Sequence, residues 1–194
     1  MAGMEDLEVR GCERCPALVE SRTRIVNGVG PATASLLFVG EAPGQEEDAK
    51  GEPFVGRSGA ILDEVLRDNG LARADVRITN CVRCRPPDNR DPYASELEHC
   101  RDYLETEISA VDPTVVITLG RVPSEHLLSR DVAVTNEAGS VVRTAIGNGQ
   151  FDVLICVHPA ASLYDPNQRT TLERAIEKAA AMTGTGGQAR IGDF

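Results

Sequence analysis

Six cysteines are the residues of this 194-residue chain whose type and spacing most directly suggest chemistry. Cys12-x2-Cys15 and Cys81-x2-Cys84 form two close pairs, and Cys100 and Cys156 stand alone. In a chain expected to work in the cytoplasm, paired cysteines point to metal rather than disulfides. The two pairs together match the donor set of a zinc site. Cys12, Cys15, Cys84 and Cys100 could instead hold a four-iron cluster, which needs four thiolates and tolerates dispersed spacing. A metal-free alternative places Cys100 on the apolar stripe of a helix. Cys156, inside an apolar run, reads as core.

A second set of residues sits where apolar runs end. "GEAPG" follows "SLLFV", "NCVRCRPPDNR" follows "VRIT", and "HPAASL" follows "DVLICV". The polar residues Glu41, Asn80 and His158 each close one of these runs, so a sheet built from them would gather the three in one cleft. Taken singly each has a plainer reading: Asn80 is a turn former, and a histidine beside a strand is more often structural than catalytic. His99 and His126 take that structural reading, with no motif around them. His158 differs, because Pro159 and two alanines follow it and let a loop pass closely by a ligand. Phe54, in the polar stretch "GEPFVG", is either a small hydrophobic plug or a contact for a ligand. Several chemistries are excluded. No Gly-Lys-Ser/Thr follows the first run, no Gly-x-Gly-x-x-Gly opens a helix, and the zinc-deaminase pair of motifs is missing.

These residues need a scaffold. Strand-like runs fall at Ser35–Val39, Val76–Thr79, Thr114–Leu119 and Asp152–Val157, each short and rich in Val, Ile or Leu. Helical periodicity lies between and after them. Ile61, Leu62, Val65 and Leu66 share a face, and so do Leu97, Cys100, Leu104, Ile108 and Val111. Val122–Leu128 and Leu172–Met182 supply two more helices. The alternation predicts an α/β fold: three α/β/α layers around a mainly parallel four-stranded sheet. Val132–Gly149 reads as an extra strand or hairpin. In such folds ligands bind outside the carboxyl ends of the strands, where Glu41, Asn80 and His158 lie.

Length and composition predict one domain, residues 1–182, with a flexible tail over 183–194. The opening "MAGMEDLEVR" is too acidic and polar for a signal peptide. Thirty acidic residues against twenty basic ones give a net charge of −10, and Lys50 and Lys178 are the only lysines. That balance opposes a nucleic-acid partner, because a phosphate backbone favours a basic surface. A local arginine-rich face in a high-salt cytoplasm would still permit one.

Taken together, "CERCPALVESRTRIVNGVG", "GEAPGQEEDAKGEPFVGRSGAILDEVL", "ITNCVRCRPPDNRDP", "ELEHCRDYLETEI", "VVITLGR" and "VHPAA" resemble the family 4 uracil-DNA glycosylases of bacteria and archaea. The blocks fall in order and span most of the chain. The resemblance implies the uracil-DNA glycosylase fold and a monofunctional enzyme of base excision repair. Such an enzyme hydrolyses the N-glycosidic bond of deoxyuridine in DNA and leaves an abasic site. It also implies a [4Fe–4S] cluster on Cys12, Cys15, Cys84 and Cys100, with Cys81 a spare. By the same resemblance Phe54 stacks on uracil, Asn80 reads its edge, and Ala42 and Pro43 wall the pocket. His158 stabilises the uracil anion, while Glu41 orients water or stabilises the cationic sugar, supported by Glu47 and Asn89. Arg57, Arg85 and Arg90 would hold DNA, and Leu163 would be the intercalating residue. The rival from another class is an iron–sulfur module that binds uracil or single strands without cleaving. A monomer is expected.

The tail carries its own pattern. Gln188, Ile191 and Phe194 stand at positions one, four and seven of "QARIGDF", similar to the peptide that docks on replication sliding clamps. A single tight turn would place the aliphatic and aromatic groups on one face. A sliding clamp is therefore an expected partner beside uracil-containing DNA.

Overall fold

The computed structural model describes residues 7–184, so the clamp-like Gln188, Ile191 and Phe194 lie outside the described residues. Three strands, β1 (Leu36–Gly40), β2 (Arg77–Asn80) and β3 (Val115–Leu119), are buried at every position. Continuous burial follows from parallel pairing under helices on both faces, which leaves no strand residue facing water. With β4 (Val141–Ile146) and β5 (Gly149–Cys156) they form a sheet in the order β2-β1-β3-β5-β4. Four strands run parallel, and β4 pairs antiparallel to β5 at the edge.

The sheet therefore has five strands, not the four expected. The fifth comes from the segment read as an extra strand or hairpin, which also holds the short helix α6 (Val134–Glu137). Only Ile146 of β4 is fully buried. An edge strand with one covered face shows too few apolar residues to stand out in sequence.

Helices cover both faces. α3 (Arg57–Asp68) and α7 (Pro166–Met182) contribute Leu62, Leu66, Leu172 and Ile176 to the core on one side. α4 (Ala94–Val111) and α5 (Arg121–Leu128) contribute Leu104, Ile108 and Leu127 on the other. Each such side chain, fully removed from water, contributes about 1.5–3 kcal/mol. α7 begins six residues before the apolar pattern does. Asp165 accepts from the Asn167 backbone N–H at 2.9 Å, and Pro166 occupies the first helical position.

A buried ionic knot fixes β2 to its surroundings. Glu107 of α4 is fully buried and accepts from Arg77 Nε (2.7 Å), Arg83 Nη2 (2.8 Å) and Thr79 Oγ1 (2.8 Å). Arg83 also donates to Asn27 Oδ1 at 2.7 Å and to the Leu7 carbonyl at 3.2 Å, tying the N-terminal segment to the loop after β2. Burying three charges costs desolvation that the pairing offsets, so the knot's main effect is positional. It sets where Asn80 and Cys84 stand. Among the described residues, no helix is long and apolar enough to cross a membrane.

Candidate active site

A cavity of about 190 Å³ opens at the carboxyl ends of β1, β2 and β5. Glu41, Ala42, Gly44, Glu47, Phe54, Ser58, Asn80 and His158 line it. It is smaller than the ~300–1,000 Å³ clefts that take drug-sized molecules, so it suits one small ring.

Each wall has a local cause. β1 and β2 pair with Gly40 opposite Asn80, and a side chain on Gly40 has no room there. A Cβ at that point would lie 2.3 Å from Asn80 Oδ1 and 2.5 Å from the Phe54 ring. Glycine thus lets the amide and the ring meet across the strand end. Phe54 adopts φ +54°, a backbone region that non-glycine residues rarely enter. Glu47 helps hold it there: its carboxylate accepts from the backbone N–H groups of Gly44 (3.1 Å), Val55 (3.2 Å) and Gly56 (3.1 Å). Arg73 donates to the Pro53 carbonyl from the other side. α3 then packs so closely that a Cβ on Gly59 would sit 1.8 Å from the Phe54 carbonyl oxygen. The loop is clamped at every turn.

The helix carrying Glu47, α2 (Gln45–Lys50), is itself anchored. Asp48, 3% exposed, accepts from the backbone N–H groups of Thr23 (2.9 Å) and Arg24 (3.2 Å). Asn80 is buried to the same degree and lines the cavity, where its side-chain amide can both accept from and donate to a ligand.

His158 starts the turn Pro159–Leu163, and the Ala160 backbone N–H donates to its Nδ1 at 3.1 Å. Burial lowers its pKa, only partly countered by the Glu47 carboxylate. The ring is therefore neutral near pH 7, with its one proton on Nε2. It stands 5.8 Å from the Phe54 ring, centroid to centroid. Glu41 is perturbed in the opposite sense. Burial, and then the nearby Asp91 carboxylate, push it up to about 7, while Arg121 pulls it down. Asp91 and Arg121 form an exposed ion pair at 3.5 Å.

A second constellation lies beside Ala42. Cys84 and Cys100 pack with Leu18 and Val82, and Cys15, Leu97 and Tyr103 cover them. Arg22 donates to Cys84 Sγ at 3.0 Å and to the Cys12 carbonyl at 2.8 Å. His99 Nδ1 lies 3.3 Å from Cys15 Sγ, and Tyr103 neighbours Cys12. Burial raises the thiol pKa values of Cys15, Cys84 and Cys100 (the last to about 11), and charge on neighbouring cysteines raises them further. Among the described residues, no three His, Cys, Asp or Glu side chains form a group for a single metal ion. Cys81 sits apart in the α4-side core, and Cys156 on the opposite face of the sheet.

Residues 27–180 match the Uracil DNA glycosylase superfamily. The type-4 uracil-DNA glycosylase of Archaeoglobus fulgidus is 39% identical over 190 residues, covering 95% of each chain. That of Saccharolobus solfataricus is 40% identical, covering 88% of this chain and 81% of its own. That of Thermotoga maritima is 38% identical, covering 87% of this chain and 85% of its own.

This chain belongs to the type-4 uracil-DNA glycosylases.

In this glycosylase fold the expected trio Glu41, Asn80 and His158 does meet in one cavity, with Ala42, Glu47 and Phe54. Pro43, expected in its wall, is buried and does not line it. Asn89, expected to support Glu41, is exposed on the turn Pro87–Asn89 and accepts from Arg85 Nε at 2.8 Å. Of the arginines expected to hold DNA, Arg90 is engaged by both Glu96 oxygens, at 2.7 and 2.8 Å. Sequence reasoning missed Gly44, Ser58 and Asp48. Asp48 sits among acidic neighbours that look like a solvated run, and only its burial separates it from them.

Proposed function

We propose that this chain hydrolyses the N-glycosidic bond of deoxyuridine in DNA, releasing uracil and leaving an abasic site. One observation carries the proposal: a histidine whose Nδ1 accepts from a backbone N–H, leaving its proton for Nε2, and the Asn80 amide share a cavity for one ring with Phe54. A duplex hides the scissile bond, so the nucleotide must be extruded, at a cost of a few kcal/mol. Phe54 stacking on the extruded ring returns about 1–3 kcal/mol. The Asn80 carbonyl accepts from uracil N3–H while its amino group donates to O4, and cytosine offers the reverse pattern at both atoms.

The N1–C1′ bond breaks with its electron pair leaving on uracil, and the sugar becomes cationic. His158 Nε2–H donates to uracil O2, where negative charge develops, without giving up its proton. Glu41, once ionised, faces the cationic sugar and orients the water whose oxygen bonds to C1′; the water's surplus proton passes to solvent. Donors that act on charge formed only in the transition state raise the rate rather than merely the affinity.

The four cysteines Cys12, Cys15, Cys84 and Cys100 would hold a [4Fe–4S] cluster. The donor set fits: four soft thiols from three segments, two of them meeting a nitrogen of Arg22 or His99 that would share a thiolate's charge. When bound, the group supplies cross-linking, not a step in hydrolysis. It would clamp the N-terminal segment, and through Thr23, Arg24 and Asp48 it would steady the helix that carries Glu47. A sliding-clamp contact through Gln188, Ile191 and Phe194 remains a separate proposal, tested by titrating a tail peptide and its Phe194→Ala counterpart against a clamp.

The deciding experiment incubates the protein with a uracil-containing oligonucleotide, then with alkali. Cleavage only at uracil, with free uracil recovered, is expected. No strand break at any salt concentration overturns the reading.

A further inference from the structure

Large hydrophobic side chains are exposed at only three places among the described residues: Tyr93 (60%), Leu163 (40%) and Tyr164 (87%). All three lie on the loops that follow β2 and β5, the strands whose ends carry Asn80 and His158. In a chain with 4% aromatic residues, that distribution gathers the exposed apolar side chains on the loops at the carboxyl end of the sheet, the end where the cavity opens. Exposed aromatic area has a cost in water unless a partner covers it.

Tyr93 is also fixed in place. The Arg90 guanidinium lies against one face of its ring, with Cζ 3.6 Å from the centroid. Glu96 holds that guanidinium with both oxygens and accepts from the Tyr93 backbone N–H at 2.8 Å. One face of the ring is thus backed by a planar cation while the residue stays 60% exposed, so the other face is open to solvent. A ring held in this way loses little conformational freedom when something stacks on it. Tyr164 closes the turn that begins at His158, on the β5 side of the cavity. Arg85, whose Nε donates to the neutral Asn89 amide, borders the same end of the sheet and brings positive charge to an otherwise acidic chain.

We propose that Tyr93, backed by Arg90, and Tyr164 form a stacking rim that binds unpaired bases flanking the extruded uridine. The occupant is a nucleobase because the rim combines flat aromatic faces with a local arginine, and because it stands on the loops that follow the strands whose ends, Asn80 and His158, line the cavity that takes the uridine. Stacking on aromatic side chains is tolerant of sequence, as a lesion-searching surface requires. Tyr164 therefore takes the stacking role that the sequence suggested for the less exposed Leu163. The inference rests on the cavity being the uracil site.

The test is fluorescence anisotropy on a single-stranded oligonucleotide carrying an uncleavable 2′-fluoro-deoxyuridine. Tyr93→Ala and Tyr164→Ala should each weaken binding about tenfold, while Tyr93→Phe and Tyr164→Phe stay near wild type. Inhibition by free uracil should not change, because neither residue enters the cavity. Wild-type affinity in both alanine variants overturns the rim. So does a loss in the phenylalanine variants as large as in the alanine variants, or a parallel change in uracil inhibition. Uracil release from a cleavable strand is followed with the wild-type protein. Its absence sinks the uracil site and the rim with it, whereas release with unaltered affinity of the alanine variants sinks the rim alone.

Discussion

Glu41 is the group whose environment makes the sharpest demand on the mechanism. Burial and the Asp91 carboxylate raise its pKa from the ordinary 4.5 to about 7. If the ionised form faces the cationic sugar, the single-turnover rate must follow the ionised fraction. About one molecule in ten is ionised a unit below that pKa and nine in ten a unit above, so the rate should rise about tenfold from pH 6 to pH 8. Burial lowers the His158 pKa, which favours its neutral ring and leaves this limb to Glu41. Glu41→Gln should flatten the profile at a low rate. Asp91→Asn should move the limb to lower pH, and Arg121→Gln to higher pH. Stability gives an independent reading. A carboxyl whose folded pKa is raised stabilises the fold below its unfolded pKa, and that contribution is lost as pH rises through about 7. The full shift corresponds to ~3 kcal/mol, which partial exposure reduces to about 1 kcal/mol. Glu41→Gln should therefore match wild type in thermal unfolding near pH 4 and exceed it above pH 7. A rate independent of pH between 6 and 8, or a Gln variant with the wild-type slope, would refute the reasoning.

Other consequences are equally open to measurement. His158→Ala should lower the single-turnover rate about a hundredfold or more with little change in DNA affinity; full retained rate would reduce the residue to a turn element. Gly40→Ala should abolish uracil selection, since its Cβ would meet both Asn80 and Phe54, and an unaltered uracil inhibition constant would contradict that geometry. Glu107→Leu should destabilise the fold by about 3–5 kcal/mol, because it strands two buried guanidinium groups; denaturant unfolding with an unshifted midpoint would show the knot to be dispensable. Cys84→Ala and Cys100→Ala should remove iron and the broad visible absorbance of a cubane cluster, while Cys81→Ala and Cys156→Ala keep both. Stoichiometric zinc in colourless, anaerobically purified protein would replace the cluster with another metal.

The sequence alone determined the layers of this fold and the chemical types at its site. Strands buried on both faces must be runs of Val, Ile and Leu, so β1, β2, β3 and β5 are visible as such, and their ends name Glu41, Asn80 and His158. The order β2-β1-β3-β5-β4 was not visible, nor was the edge strand β4, because pairing depends on which surfaces the helices cover. The same limit applied within the site. Nothing in "GQEEDAK" separates Glu47 and Asp48 from their solvated neighbour Glu46; only the fold turns the first toward Val55 and Gly56 and buries the second beneath Thr23. The exposure of Tyr93 and Tyr164 is likewise a property of the folded surface, since a tyrosine in sequence is as ready to be core as rim. The histidine's useful tautomer came last of all. It depends on one backbone N–H, that of Ala160, which points at Nδ1 only once the chain has turned.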